Sequence, residues 1–596
     1  MSTLSDSFSF MAIVKVLATL RAKEAIFRHQ DELMQRYFRI EQEESSVHSW
    51  SPELKQLLPS RRQWSRPRYE QRGGNGVPKD RVLRDSIYRK VQGLYVAGKL
   101  DSVEWGCRLQ AFAKDVKCRI ENDGLVFQEP KLWVRRKSRS DKGRCISSYE
   151  KLSDYVIMAI TNKYLSSQID PTFTEDSYAY RTSIKQTYNK AVSRLVKFRK
   201  ASSQPLYVAN CDVHKLFDVI DHDVIMQLLR RRIVDLDIDP VALVVVKAYL
   251  ESYNYKLVER KMDEIRGSND IEIDIPDWKR VEALHGYATL DKSQFGISQG
   301  GTLSGLLANL VLDEVDKAIL QLNDKELFYA RYCDDLIIVH SSREKCHATL
   351  GVCIEKLRQL KLPVHEIVQA PQYGAEFYEL KSKGPYEWNN PNVRPSIPWV
   401  PFLGYNIRFD GNVRIRKETI GKHVDSLRTD VTRFISTLCN VKLKAGISIN
   451  DAVAGFMGKM IRKSIGNIYA GSSRELGYCW MAVFQNVWLS PPALRQLKYV
   501  DKKLMALISM MLEGLGLKFS FVHVGKRLSH VAVAKAINKR VKKNVLPYRN
   551  DIISFRTETI EDEEAWKEWS DWSDHNYWPD DFHEVSWYER NIVVMS

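Results

Sequence analysis

Arg331-Tyr332-Cys333-Asp334-Asp335-Leu336-Ile337-Ile338-Val339 is the most informative stretch of this sequence. Two adjacent carboxylates stand before a run of apolar, mostly β-branched residues, which predicts a tight turn that leads into a buried strand. Neighbouring side chains on a strand point to opposite faces, so only one of the two acids can face a shared metal ion unless the turn reorients the pair. A further acid must therefore come from another strand.

Asp212 is the candidate for that acid, because it ends the apolar run Leu206-Tyr207-Val208-Ala209-Asn210-Cys211. Carboxylates from neighbouring strands can hold two divalent cations roughly 3.5–4 Å apart. One cation then lowers the pKa of an attacking hydroxyl and the other stabilises the leaving pyrophosphate, which is phosphoryl transfer. Hard oxygen ligands predict two Mg²⁺ ions, with Mn²⁺ as a substitute. A Tyr-x-Asp-Asp segment alone is weak evidence, since an Asp-Asp turn is commonly only a turn.

Six segments in one order resemble motifs of reverse transcriptases of the bacterial, group II intron-like branch. Asp212–His222, Gly296–Asn309 and Tyr332–Asp335 resemble the first, second and third palm motifs. Phe402-Leu403-Gly404-Tyr405 resembles the primer grip, and Ser177-Tyr178-Ala179-Tyr180-Arg181 and the basic run Arg135–Arg144 resemble finger motifs. This order, kept over about 270 residues, makes coincidence untenable.

The resemblance implies an α/β part followed by an all-α part. The α/β part would hold the fingers and a ferredoxin-like palm of a right-hand polymerase, and a helical C-terminal domain would follow. The predicted domains are an N-terminal helical extension at 1–120 with a basic loop at 59–80, fingers and palm at 121–410, a helical thumb or helical-repeat domain at 411–550, and an acidic, Trp-rich tail at 551–596. Amphipathic patterns predict C-terminal helices around 415–440, 449–470, 474–488 and 492–515.

The resemblance also implies roles at the metal site and the nucleotide site. Asp212 and Asp334 would ligate both metal ions with the Val213 carbonyl, and Asp335 would support them. Leu216 and Phe217 would lie at the incoming nucleotide, where the Phe217 ring would clash with a 2′-hydroxyl; the alternative is an ordinary core phenylalanine. These roles predict a preference for deoxynucleotides.

The second palm motif and the fingers would complete the nucleotide site. Gln299 and Gly300, with Gly301, would let the backbone approach the nascent base pair, because glycine has no Cβ. Arg144, aided by Lys142, would clamp the triphosphate by charge-assisted hydrogen bonds.

The template–primer contacts implied by the resemblance involve Phe402, Leu403, Gly404 and Tyr405. Arg181 would support the fingers or contact the template, with a structural ion pair as the alternative.

Three departures from the family pattern stand out. Gly305 replaces a usual proline, which predicts a looser entry into the following helix. The stretch 360–366 offers no clean counterpart of the lysine proposed to protonate pyrophosphate, so His365 is a candidate general acid and water is the alternative. About thirty residues, 371–400, are inserted before the primer grip; they would reshape the template–primer channel or pack over the palm.

The charge of the chain is unevenly distributed. Its 596 residues hold 90 basic and 74 acidic side chains, yet residues 551–596 hold 13 acidic and only 3 basic ones. A basic body predicts a polyanionic partner, here an RNA template or non-coding RNA, a DNA product and dNTPs. A second copy or a partner protein would bind through the helical C-terminal region or the acidic tail.

Cysteine spacing and hydropathy indicate the cellular location to expect. The nine cysteines form no Cys-x-x-Cys pair, so neither a disulfide framework nor a zinc module is indicated. No apolar run approaches the roughly 18 residues of a membrane span. We therefore expect a cytoplasmic protein with reduced thiols and no membrane partner.

These observations favour an enzyme: a nucleotidyltransferase that makes DNA from dNTPs under RNA direction, or with an unconventional template. The palm and the helical C-terminal region together resemble reverse transcriptases of bacterial antiphage defence and abortive infection. One alternative is a mobile-element, group II intron-like reverse transcriptase. Another is a catalytically silent palm that serves as a nucleic-acid-binding scaffold.

Overall fold

The structure, a computed structural model, describes residues 3–39, 51–67, 79–122, 124–136, 142–182, 187–266, 271–368, 377, 380–392, 396–465, 479–484 and 490–515. The acidic tail, most of the basic loop at 59–80, the tip of the basic finger run and part of the 371–400 insertion lie outside these residues. The domain boundaries given above remain predictions.

The described residues form strands and helices whose bounds are as follows. The strands are β1 Lys131–Arg136, β2 Lys142–Ser148, β3 Leu206–Asp212, β4 Glu272–Ile273, β5 Phe328–Tyr332, β6 Asp335–His340, β7 Ile367–Val368, β8 Ser382–Trp388, β9 Trp399–Phe402, β10 Tyr405–Arg408 and β11 Val413–Ile415. The helices are α1 Leu4–Ser7, α2 Phe10–Tyr37, α3 Ser51–Leu57, α4 Lys79–Val96, α5 Glu104–Glu121, α6 Leu152–Ile169, α7 Tyr188–Ala201, α8 Leu216–Val219, α9 His222–Asp235, α10 Val241–Ser252, α11 Tyr255–Arg260, α12 Met262–Arg266, α13 Trp278–His285, α14 Ser304–Leu320, α15 Arg343–Gln359, α16 Lys417–Asn440, α17 Ile449–Ile465, α18 Trp480–Val483 and α19 Pro491–Gly514.

A five-stranded sheet, in the order β5-β6-β3-β8-β7, carries the segments of the first and third palm motifs. β5, β6, β3 and β8 pair antiparallel, and β7 is parallel to β8. Helices α8 to α14 connect β3 to β5, and α15 follows β6. The order β8-β3-β6-β5 with these helical connections is the ferredoxin-like arrangement. The strands expected at 206–210 and 334–339 are both present.

The sheet lies between two hydrophobic cores, which explains why its strands are apolar on both faces. On β6, Leu336 and Ile338 join a core that contains the N-terminal helices, α14 and α15. Ile337 and Val339 join a second core with β9–β11, α16, α17 and α19. The alternation follows from the two-residue period of a strand. Helix α15 packs against β3, β6 and β8 on the first face, and the core on the other face continues into β9–β11 and the C-terminal helices.

The 371–400 insertion contributes a strand to the sheet. Every residue of β8 is buried, and β8 pairs with β3. The pairing register shifts between Val208 and Asn210, opposite Gly384 and Pro385 of β8. A bulge accommodates a proline, which has no N–H to donate to a regular ladder. This part of the insertion is therefore palm sheet rather than a layer packed over it.

The C-terminal region is helical where it is described. α16, α17 and α19 match three of the four expected helices, and α18 is a short described piece of the fourth. None of the described helices is long and apolar enough to cross a membrane.

Candidate active site

The turn between β5 and β6 presents the two adjacent acids. Tyr332 pairs with Asp335 across the hairpin, so Cys333 and Asp334 form a two-residue loop. Cys333 has a left-handed backbone with φ of 60°, which is uncommon for a residue other than glycine and clusters at functional sites. The predicted tight turn is confirmed, and it separates Asp334, in the loop, from Asp335, on the strand.

A buried arginine fixes this turn. The Arg331 side chain is fully buried and forms an ion pair with Asp316 of α14, through Nε at 2.8 Å and Nη2 at 2.6 Å. Its Nη1 donates to Asn309 Oδ1 at 3.0 Å and to the Cys333 carbonyl at 3.3 Å. Nη2 also donates to Ser177 Oγ at 2.8 Å. Arg331 therefore connects the turn to α14 and to the finger segment, a role that the sequence did not indicate.

Three acidic residues lie close together where β3 ends. Asp212 lies directly opposite Asp335 in the antiparallel register of β3 and β6, and the Val213 N–H donates to the Asp334 carbonyl at 3.4 Å. Burial, and then the charge of Asp212, raise the pKa of Asp334. Burial raises the pKa of Asp335 to about 7, although Arg416 opposes the shift. A bound cation is what such crowded acids need in order to ionise together.

Lys381 also lies at this site, although no motif in the sequence pointed to it. Its Nζ lies 2.9 Å from Asp212 Oδ2 and 3.2 Å from His365 Nε2. His365 Nε2 is 3.6 Å from the same Asp212 oxygen. Burial, and then Lys381, lower the pKa of His365 to about 4, so the histidine is neutral near pH 7. Lys381 directly precedes β8, and its only sequence signal is the segment Lys381-Ser382-Lys383, which leads into that strand.

The donor set suits magnesium that arrives with phosphate. Among the described residues, no cluster of three or more His, Cys, Asp or Glu side chains is arranged to hold a metal ion. Asp212 and Asp334 supply carboxylates. Val213 pairs with Val364 in an isolated bridge, but the hydrogen bonds of this bridge are made by the Asp212 carbonyl and the His214 N–H. The Val213 carbonyl therefore takes no part in the pairing. Mg²⁺ is usually bound by one or two carboxylates together with substrate phosphates and water. The residues therefore fit magnesium.

The first and second palm motifs are bonded to each other. The Ile297 N–H donates to the Phe217 carbonyl at 2.7 Å, and the Gly296 N–H donates to the Ile220 carbonyl at 2.9 Å. Gln299 Nε2 donates to Asp218 Oδ1 at 3.0 Å. The pKa of Asp218 is raised to about 6 by burial, against the nearby charges of Lys215 and Arg144. Asp218 therefore fixes the orientation of the Gln299 side chain.

Gly300 and Gly301 make room for protein groups. A Cβ on Gly300, whose φ is 118°, would lie 2.9 Å from the Ser147 carbonyl oxygen, and one on Gly301 would lie 1.9 Å from the Tyr249 hydroxyl. The Ser147 N–H donates to the Gln299 carbonyl at 3.1 Å. Gly300 thus lets β2 approach the second motif, and Gly301 makes room for Tyr249 of α10; both reasons for glycine differ from the expected approach to a base pair.

Lys142 and Arg144 project from β2, and both are exposed. Lys142 Nζ lies 3.6 Å from Glu272 Oε1, and Arg144 lies near buried Asp218. Both side chains therefore lie on β2 beside the second motif, where a triphosphate clamp was expected.

The position of Arg181 does not fit the template contact that was one of its expected roles. Its side chain is fully buried and pairs with Asp170, and its guanidinium donates to the carbonyls of Thr174 at 2.7 Å and Ser177 at 3.0 Å. These bonds leave it no path to a template, so Arg181 forms the structural ion pair that was the alternative.

The segment expected as the primer grip is the β9–β10 hairpin. Phe402 and Tyr405 flank a two-residue loop, and both side chains are fully buried in the second core. Leu403 and Gly404, with φ of 47° and 82°, form its tip. The Arg416 N–H donates to the Gly404 carbonyl at 2.9 Å, so the tip is tied to the residue that opposes the pKa shift of Asp335. Leu403 and Gly404 are therefore the residues of this hairpin placed at its tip, whereas the buried side chains of Phe402 and Tyr405 are not available for a surface contact.

Comparison with known families identifies the central part of the chain. Residues 136–366 match the family described as "Reverse transcriptase (RNA-dependent DNA polymerase)". Among curated proteins, the group II intron-encoded protein LtrA of Lactococcus lactis subsp. cremoris is 24% identical over 254 residues, which cover 41% of this chain and 35% of the relative. The chain thus spans about a third of the length of this relative. Its central part is a reverse transcriptase domain, of the RNA-directed DNA polymerase type, distantly related to that of LtrA.

Solved structures of telomerases are also similar. Apo telomerase of Candida tropicalis is 12% identical, with a TM-score of 0.30 and coverage of 66% of this chain and 60% of that one. Telomerase of Candida albicans with a TWJ fragment of telomeric RNA is 11% identical, with a TM-score of 0.32 and coverage of 73% and 65%. Similarity at this level is weak, and no inference rests on it.

Proposed function

We propose that the chain is a DNA polymerase that joins dNTPs by phosphoryl transfer, directed by RNA or by an unconventional template. The observation that carries the proposal is the proximity of Asp212 to Asp334 and Asp335 where β3 ends, inside the reverse transcriptase domain. All three predicted acids are present, which disfavours a catalytically silent scaffold.

Different residues of the chain would bind the metal ions, support the acids and bind the triphosphate. Asp212, Asp334 and the Val213 carbonyl would hold Mg²⁺, which supplies Lewis acidity for the attacking hydroxyl and neutralises phosphate charge. Asp335, whose ionised form is favoured by the nearby charges of Arg416 and Lys383, would support the acids. Arg144 and Lys142 would bind the triphosphate.

The base pair and the primer would be positioned by other residues. Asp218 orients Gln299 beside the nascent base pair, and Gly300 lets β2 close on it. The tip Leu403-Gly404 would touch the primer strand, while Phe402 and Tyr405 anchor the hairpin in the core. The fingers, palm and thumb of a right hand would then be β1–β2, the five-stranded sheet and α16–α19.

A direct test uses the purified full-length chain with Mg²⁺ and each labelled dNTP, with and without nuclease treatment of the co-purifying RNA. We expect a DNase-sensitive product. Loss of synthesis after RNA removal would indicate a bound RNA template, and a protease-sensitive label would indicate priming from a protein hydroxyl. No incorporation from any dNTP, on supplied RNA–DNA primer–template or without it, would contradict the proposal.

An antiphage role is the second part of the proposal. It is supported by the helical region α16–α19 behind the reverse transcriptase domain, as in the defence-associated enzymes that the sequence resembles. Bacteria that express the chain should resist phage infection, and bacteria that express an Asp334→Asn variant should not. Equal plaque counts from both, together with an intron RNA beside the gene, would instead favour the mobile-element reverse transcriptase. The binding of a second copy or a partner protein by α16–α19 remains a prediction.

Replacing Phe217 by Val should weaken the exclusion of ribonucleotides. The half-buried Phe217 ring would meet a 2′-hydroxyl, and removing such a contact changes discrimination by roughly 10- to 100-fold. The measurement is the ratio of kcat/KM for a dNTP to that for the matching rNTP. An unchanged ratio would assign Phe217 to the core alone.

Lys381 is the residue placed to act as the general acid. Replacing it by Leu should therefore lower kcat by about 10²-fold, within the range of general acid catalysis. Lys381 is the cation beside Asp212, whereas His365 is neutral near pH 7 in the metal-free site and is therefore a poor proton donor. His365→Ala should have a much smaller effect. Lys325→Leu, at an exposed position before β5, is the matched control. A larger loss in His365→Ala than in Lys381→Leu would make the histidine the donor, as the sequence first suggested.

A further inference from the structure

Tyr180 is an exposed aromatic residue held in an unusual backbone conformation. It is 54% exposed, and its φ is 53°, in the left-handed region that bulky residues avoid. Strained conformations persist only where surrounding structure imposes them, and they cluster at ligand and active sites. The family resemblance assigned no role to this residue, so its contacts decide what it does.

The ring of Tyr180 lies between three parts of the candidate active site. It packs edge-on against Phe217, with ring centroids 6.4 Å apart and an interplanar angle of 78°. A Cβ on Gly305 would lie 2.6 Å from Tyr180 Cγ, so the ring lies directly on the start of α14. Partial desolvation of the Tyr180 hydroxyl, and then the neighbouring thiol of Cys333 in the catalytic turn, raise the pKa of that hydroxyl.

The backbone on both sides of Tyr180 is anchored. The Ala179 carbonyl accepts from Asn309 Nδ2 at 2.7 Å, and the Tyr178 N–H donates to the Arg331 carbonyl at 2.9 Å. On the other side, Arg181 is buried in its ion pair with Asp170. The same network that fixes the Asp334 turn therefore fixes the backbone of Tyr180, and with it the position from which its ring projects.

Gly305 acquires a physical role from this contact. The expected effect of replacing the usual proline was a looser entry into α14. Instead, the Tyr180 ring occupies the space that a side chain at position 305 would need. Because α14 is well packed from its first residue, with Ser304 accepting from the Tyr249 hydroxyl at 2.6 Å or donating to it, Gly305 cannot move away to admit a larger side chain.

We propose that Tyr180 is a positioning residue for sugar discrimination: its ring supports Phe217 from the side and fixes the depth at which a 2′-hydroxyl would clash. The inference deepens the proposed function and rests on it. Without the Tyr180 ring, Phe217 can tilt into the vacated space beside Gly305, and the pocket admits a ribose. Edge-to-face aromatic contacts are of a size that predicts a change of about 3- to 10-fold in discrimination.

The test compares Tyr180→Ala, Tyr180→Phe and Gly305→Ala in the full-length chain on a supplied RNA–DNA primer–template. The readout is the ratio of kcat/KM for a dNTP to that for the matching rNTP. Tyr180→Ala and Gly305→Ala should each lower the ratio about 3- to 10-fold, the second by displacing the ring. Tyr180→Phe keeps the ring and should keep the ratio. Tyr180→Ala added to Phe217→Val should cause no further loss, since the two residues act through one contact.

The outcomes separate the two proposals. If the wild-type chain incorporates dNTPs and the ratio is unchanged in Tyr180→Ala, the inference is wrong and the proposed function stands. If Tyr180→Phe loses discrimination as Tyr180→Ala does, the ring is not the cause and the inference is also wrong. If Tyr180→Ala fails to fold, Gly305→Ala decides by the same ratio. If the wild-type chain incorporates no nucleotide, the proposed function itself fails.

Discussion

Replacing Asp334 by Asn is expected to reduce nucleotide incorporation by at least about 10³-fold, or about 4 kcal/mol of transition-state stabilisation. The substitution keeps the shape of the side chain and removes the charge that would hold Mg²⁺. The fold should not suffer. Because burial and Asp212 raise the pKa of Asp334, its ionised form is unfavourable in the metal-free protein, and the neutral amide should leave the melting temperature equal or higher. Incorporation of a labelled dNTP and a thermal melt measure the two quantities.

Asp235→Asn is the matched control, since Asp235 is an exposed acid at the end of α9. It should retain full activity and the same melting temperature. Synthesis by Asp334→Asn at a rate near that of the wild type would contradict the site assignment. A low melting temperature would show instead that the charge of Asp334 is needed for the fold.

The sequence predicted those parts of the palm that depend on local signals. The apolar runs 206–209 and 336–339 lie in strands because both of their faces are buried, and a buried strand needs no polar alternation. Asp212 was placed beside the Asp334–Asp335 turn because it ends an apolar run that predicts a neighbouring strand, and the motif resemblance implied the same; the β3–β6 register agrees with it. The C-terminal helices followed from their amphipathic period.

The sequence could not predict contacts that depend on long-range pairing. Gly384 and Pro385 are residues that disfavour a strand, so β8 was hidden until its bulged pairing with β3 was visible. Lys381 reaches Asp212 because β8 returns the chain to the catalytic strand. Its distance from the third motif in the sequence gave no indication of this proximity.

Arg181 and Tyr180 show the same limit in adjacent positions. Both stand in the finger motif, but one side chain is fully buried and the other is 54% exposed. A motif reports which residue types are present, whereas the partners Asp170 and Gly305 decide which of the two faces the site. The template role expected of Arg181 was wrong for this reason.

Replacing Arg331 by Met is expected to have the largest effect on stability, a loss of roughly 3–5 kcal/mol in the free energy of unfolding. The change would leave Asp316 buried without its ion-pair partner, 0% exposed at the side chain. The Tyr329 hydroxyl, which donates to Asp316 at 2.6 Å, cannot compensate for a lost full charge. Denaturant unfolding of the full-length chain measures the change.

The double variant Arg331→Met/Asp316→Leu separates the ion pair from simple loss of packing. If the penalty comes from an unpaired buried carboxylate, removing the carboxylate should restore a large part of the stability, because replacing both partners of a buried pair by apolar groups is often nearly neutral. Arg343→Met, at the exposed first position of α15, should change stability by no more than about 0.5 kcal/mol. The restored double variant should still incorporate nucleotides slowly, since a methionine side chain has no donor for the Cys333 carbonyl that Arg331 holds at 3.3 Å. Full activity in that variant would mean that the turn keeps its shape without Arg331, and that the left-handed Cys333 is held by the strands alone.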